Sequence, residues 1–142
     1  MKHISTAAHT IIRLHKGDDI VPSIERAMKE NHMRNAIVLF GVGSVESAEF
    51  GILPPKGPHV RHFHEGLSEL VYLSGFIVGE ETGGPYGPHL HIAVADTEGF
   101  VRGGHLFRAV TGEVAEVGIS PVYETRIKRV PNKERNVELL EM

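Results

Sequence analysis

One helix must serve a chain that otherwise reads as strand, and this imbalance constrains the fold more than any other feature. Ile20, Ile24, Ala27 and Met28 recur at helical spacing, while Glu25, Arg26, Lys29 and Glu30 fill the opposite face. Pro22 falls in the first turn, where its missing N–H costs nothing, and Asp18 or Asp19 is placed to cap the helix start. The pattern ends near residues 32–34. No second segment carries that period.

The remainder alternates or runs apolar in short stretches bounded by Gly, Pro and Asp. Residues 9–15 read as a first strand. Residues 36–40 form a continuous apolar strand, broken by Gly41-Val42-Gly43-Ser44, and residues 46–53 follow. Pro54-Pro55-Lys56-Gly57-Pro58 is a stiff loop that continues into the His59, His62 and His64 cluster. Strands are expected at 68–74, prolonged to 80 past a bend, then at 89–95, 100–102, 106–120 with a bend at Gly112, and 123–130. Residues 82–88 read as a loop, Asp96-Thr97-Glu98-Gly99 as a turn, and the end of the chain as a polar tail.

These elements specify an α+β fold, a mainly antiparallel sheet with one principal helix packed on it. At 142 residues the chain reads as one domain, 1–142. One helix covers one face of such a sheet. Apolar residues left on the other face call for burial in a closed oligomer.

Composition narrows the function classes. The absence of cysteine excludes a disulfide scaffold and thiolate metal ligands, and fits a cytoplasmic setting. No apolar run is long enough to span a bilayer or to form a signal peptide. A net charge of −3 leans against a phosphate-backbone binder. Gly41-Val42-Gly43-Ser44 lacks the lysine and the following helix of a phosphate loop. Arg126, Lys128, Arg129, Lys133 and Arg135 are diluted by Glu124, Glu134, Glu138 and Glu141, and read as a solvated face.

Ten histidines remain to be explained. In His89-Leu90-His91 the two imidazoles project from one face of a strand, because side chains alternate with period two. The turn at 96–99 returns the chain, and Gly103-Gly104 offers the backbone freedom to aim His105 at that pair. Three neutral imidazoles leave a fourth position open on a divalent metal, the ligand pattern of a catalytic zinc; iron, nickel and copper also accept imidazole. A pair of strand histidines bonded to backbone is the competing explanation. His59, His62 and His64 read as a solvated loop or as a lid over the site, with pairing of His62 and His64 across the start of a strand as a further alternative. Glu69 shares a face with Val71 and Leu73 under strict alternation. It stands either as an exposed residue or as a buried carboxylate acting as base or as hydrogen-bond acceptor to a ligand histidine.

Several segments together resemble the PPC domain, named for plants and prokaryotes. They are Arg13-Leu14-His15-Lys16-Gly17-Asp18, Gly41-Val42-Gly43-Ser44, Leu70-Val71-Tyr72-Leu73-Ser74-Gly75 and Ala115-Glu116-Val117. The most specific are His89-Leu90-His91-Ile92-Ala93-Val94-Ala95-Asp96 and Gly103-Gly104-His105-Leu106. The resemblance spans about residues 9–120, leaving 121–142 as a last strand and tail. It implies a homotrimer in which His89, His91 and His105 form a metal-binding cluster near a subunit boundary. It also brings the DNA-binding label that such proteins often carry, although this chain has no Arg-Gly-Arg-Pro hook. A cupin fits less well, since Asp96 points away from the histidine face and no second motif follows.

The resulting expectation is a trimeric cytoplasmic protein with a three-histidine centre for a divalent metal, zinc before others. A small-molecule ligand at that centre, with or without catalysis, is open, and DNA binding or a regulatory role is the alternative.

Overall fold

Among the residues described by this computed structural model (1–6, 8–79, 84–123, 126–134 and 137–142), α1 (Ile20–Glu30) is the one α-helix. It buries Ile20, Ile24, Ala27 and Met28, the four positions marked by the sequence period. Its start is not capped as expected. Asp19 occupies the cap position, but its side chain makes no cap bond and accepts instead from Arg108 Nε at 2.7 Å. The Asp18 carboxylate accepts the His15 N–H at 2.9 Å and pairs with the N-terminal amine. The helix stops because His32 turns to a φ of 55°, letting the Met33 N–H reach back to the Met28 carbonyl at 2.8 Å.

Six strands make one antiparallel sheet: β1 (Lys2–Ser5), β2 (Thr10–His15), β3 (Asn35–Ile52), β4 (Val60–Gly79), β5 (Tyr86–Ala95) and β6 (Val101–Val122). Their order is β1-β2-β6-β3-β4-β5, and β5 also pairs with β6. The sheet therefore closes through β3, β4, β5 and β6. Apolar side chains of these strands gather with α1 into one core, which includes Ile12, Val38, Leu73, Ile92 and Ile119. A separate hairpin of β7 (Lys128–Asn132) and β8 (Val137–Glu141) follows.

The expected α+β class holds, but several boundaries move. Gly41–Ser44 does not break the chain; β3 runs through it. Gly43 permits this at φ +128°, where a Cβ would stand 2.2 Å from the Val114 carbonyl oxygen of β6. Residues 60–64 are not loop but the exposed start of β4, the strand alternative for His62 and His64, with His62 opposite Phe50 and His64 opposite Ala48. β1 was not expected, and β8 occupies what reads as a polar tail. The expected strand at 123–130 begins only at Lys128, and its residues 124 and 125 lie outside the described residues, as do 80–83 between β4 and β5. The pieces 100–102 and 106–120 are one continuous strand, β6.

Strict alternation also fails at Glu69. The β4–β5 register shifts between Leu70 and Tyr72, so both Leu70 and Leu73 face the core while Glu69, Val71 and Tyr72 are exposed. Glu69 lies opposite Ser44 and Ala95, so it is not the buried carboxylate that the alternation allowed. The expectation of uncovered apolar surface is met by Leu39, Phe40 and Val42 of β3, Val71 and Tyr72 of β4 and Val114 of β6, all exposed.

Candidate metal centre

Leu90 and Ile92 turn into the core, so His89 and His91 emerge together on the opposite face of β5. His105 arrives by strand pairing: it is the cross-strand partner of His91, and on its other side it lies opposite Gly51 of β3. One ligand nitrogen from each of His89, His91 and His105 can be chosen so that all lie within 4.8 Å of one another. The ring centroids are 5.4 Å apart for His89 and His91, 5.2 Å for His89 and His105, and 5.8 Å for His91 and His105. Three imidazole nitrogens so gathered are a donor set that suits a divalent ion.

The two glycines before His105 act differently from the expectation. Neither has a left-handed φ. Their value is close approach: a Cβ on Gly103 would stand 2.0 Å from the Ile92 carbonyl oxygen, and one on Gly104 would stand 2.5 Å from that of Gly51. Gly75 does the same for His89, with φ +149° and a virtual Cβ 2.1 Å from the His89 carbonyl oxygen. The histidines meet because the backbones that carry them are packed without side chains between them.

Of the upstream cluster only His59 reaches the centre, its ring 4.8 Å from that of His105. Phe107 lies edge-on to both, and the Arg61 guanidinium, paired with Glu49, sits 4.1 Å above the Phe107 ring. His62 stacks on Phe50, and His64 Nε2 is 2.6 Å from Ser68 Oγ, so these two have structural partners elsewhere.

The histidines open into a cavity of about 640 Å³. Ile52 and Leu53 form one wall, and the β7–β8 hairpin supplies Arg129, Val137, Glu138 and Leu139. Sequence reasoning placed Arg129 on a solvated face. Its one local signal, an arginine between strand-like residues in a stretch rich in charge, does not reveal that this stretch folds back over the site.

Burial holds His89 below the ordinary imidazole range, helped by the positive charge of Arg129 and by the neighbouring imidazoles. Burial also lowers His105, to about 4, with His59, His89, His91 and Arg129 adding to it. Both are therefore neutral donors near pH 7. Because the folded chain resists a proton that the unfolded chain accepts, the metal-free protein should lose stability as pH falls from about 6.5 towards about 4. Thermal melts across that window should show a smaller decline for His105→Gln; an identical decline would refute the assignment.

The sequence matches the Plants and Prokaryotes Conserved (PCC) domain over residues 1–122. It is 32% identical over 122 residues to the bifunctional protein GlmU of a Synechococcus strain, covering 85% of this chain but only 18% of that protein. In structure it is similar to a candidate DNA-binding protein of Bacteroides thetaiotaomicron, with a TM-score of 0.86, 20% identity, and 99% and 96% of the two chains covered. It is likewise similar to the metal-containing protein AF0104 of Archaeoglobus fulgidus, with a TM-score of 0.83, 26% identity and 100% of both chains covered. The matched span contains the helix, all six strands of the sheet and the three histidines, and the chain belongs to the Plants and Prokaryotes Conserved (PCC, or PPC) domain family.

Proposed function

We propose that His89, His91 and His105 hold one divalent metal ion, zinc before iron, nickel or copper, with a position left open for a small-molecule ligand. The convergence of three imidazoles at one end of a 640 Å³ cavity, with those of His89 and His105 held neutral by burial, carries this reading. The likeness to a metal-containing archaeal protein supports it. When bound, the ion would supply Lewis acidity at its open position. The chain's own residues do the rest: aliphatic side chains make part of the lining apolar, and His59 and Arg129 bring polar groups to the cavity. Elemental analysis of tag-free protein tests the proposal, with about one metal per chain expected. Protein that stays metal-free after reconstitution with each of the four ions overturns it.

The assembly belongs to the same proposal. Leu39, Phe40 and Val42 of β3 lie beside Val71 and Tyr72 of β4 as exposed apolar surface, and a homotrimer would bury them. Light scattering should give a trimer, and Val42→Glu should shift it to monomer; a wild-type monomer at micromolar concentration refutes the assembly.

Likeness to a candidate DNA-binding protein favours a second reading, in which the chain binds nucleic acid in a regulatory role. The net charge of −3 weighs against it. A sequence-specific gel shift that persists at physiological salt would establish it. A cytoplasmic setting is proposed from the cysteine-free composition. No helix among the described residues is long and apolar enough to cross a membrane.

A further inference from the structure

The β7–β8 hairpin lies C-terminal to the residues that match the family, yet it forms part of the cavity above the histidines. Its Arg129 is fastened to the strands that carry the site. One Nη2–H donates to the Phe76 carbonyl at 3.3 Å, and Phe76 is the cross-strand partner of His89. The Arg129 Cγ packs over Gly87, where a Cβ would stand 3.3 Å away. The guanidinium is thus held beside the metal ligands, in the lining of the cavity that it shares with His89, His91 and His105.

We infer that Arg129 receives the carboxylate of a small organic acid whose other end reaches the three-histidine centre. This rests on the metal-centre reading and names the ligand class for it. A guanidinium carries five N–H donors in a planar fork that matches one carboxylate. The bond to Phe76 holds one end of that fork in place. Ile52, Leu53, Val137 and Leu139 line the same cavity and suit a hydrocarbon body. Glu138 lines it too and exerts its negative charge on Arg129. That carboxylate repels a second negative charge on the ligand, which favours a monoanionic acid over inorganic phosphate. A guanidinium used only to pin the hairpin would not distinguish an acid from its neutral amide.

Calorimetric titration of zinc-loaded, tag-free protein separates these roles. The probes are 4-sulfanylbutanoate, whose thiol end is a zinc ligand and leaves the carboxylate for Arg129, the matching 4-sulfanylbutanamide and inorganic phosphate. Zinc content is measured first on every sample. A chain that holds no zinc refutes the metal centre, whereas a zinc-loaded chain that does not bind the acid refutes the role of Arg129. The acid should bind at least about tenfold more tightly than the amide, the difference expected of a charge-assisted fork. Arg129→Gln should remove that preference while leaving the amide unchanged, and Glu138→Gln should strengthen acid binding. An acid affinity unchanged in folded Arg129→Gln, or phosphate binding more tightly than the acid, overturns the proposal. If Arg129→Gln does not fold, Glu138→Gln decides: acid affinity that is unchanged or weaker overturns it.

Discussion

Replacing His105 by alanine is expected to abolish stable metal binding while leaving the fold in place. His105 is the cross-strand partner of His91 and lies within ring contact of His89, so its loss leaves two ligands, both on β5. Partners that merely orient a ligand change affinity by about 10- to 100-fold, so removing a ligand itself should cost at least about a hundredfold. His89→Ala and His91→Ala should behave alike. The core does not depend on the ion: Leu90, Ile92 and Leu106 pack inward beside the ligands and join the same cluster as α1. Circular dichroism should therefore match the wild type while elemental analysis shows the metal gone. Equal metal content in wild type and all three variants would make the histidines structural.

Gly103→Ala is expected to produce the largest loss of stability from the smallest chemical change. The added Cβ would stand 2.0 Å from the Ile92 carbonyl oxygen and 2.8 Å from the Ala93 Cα, and neither backbone atom can swing away as a side chain would. Relief requires β5 and β6 to separate at the Ala93–Gly103 pair, next to the pairs that hold His91 against His105. Overpacking of this kind costs about 3 kcal/mol, a fall of about 10 °C in the melting midpoint for a chain of this size. Metal content should fall with it, because the ligands sit on the two strands being parted. Gly57→Ala is the control: its φ is +94° but nothing lies within 4 Å of a Cβ there. It should cost about 1 kcal/mol of backbone strain and leave the metal bound. If Gly103→Ala melts no lower than Gly57→Ala, the close approach of the two strands is not needed for stability.

What could be read without coordinates was set by neighbours along the chain. The period of Ile20, Ile24, Ala27 and Met28 marks the buried face of α1, because helix geometry returns every third or fourth residue to one side. The two-residue period of a strand likewise puts His89 and His91 on one face and Leu90 in the core. With one helix against so much strand, uncovered apolar surface was to be expected, and the structure shows that Val42 and Tyr72 are part of it. What only the tertiary structure decided depends on approach between distant segments. Alternation alone placed Glu69 with Leu73, but one irregular step at Val71 reverses the phase and leaves Glu69 exposed. Gly103-Gly104 reads as flexibility, yet both glycines keep ordinary φ and serve to admit neighbouring carbonyls. Arg129 reads as one charge among several in a polar tail. Pairing of β7 with β8 brings it to the cavity, and the Phe76 carbonyl holds it beside His89. Local periodicity is written in consecutive residues, whereas the backbone spacing and strand pairing that complete this site arise only when segments remote in sequence close upon one another.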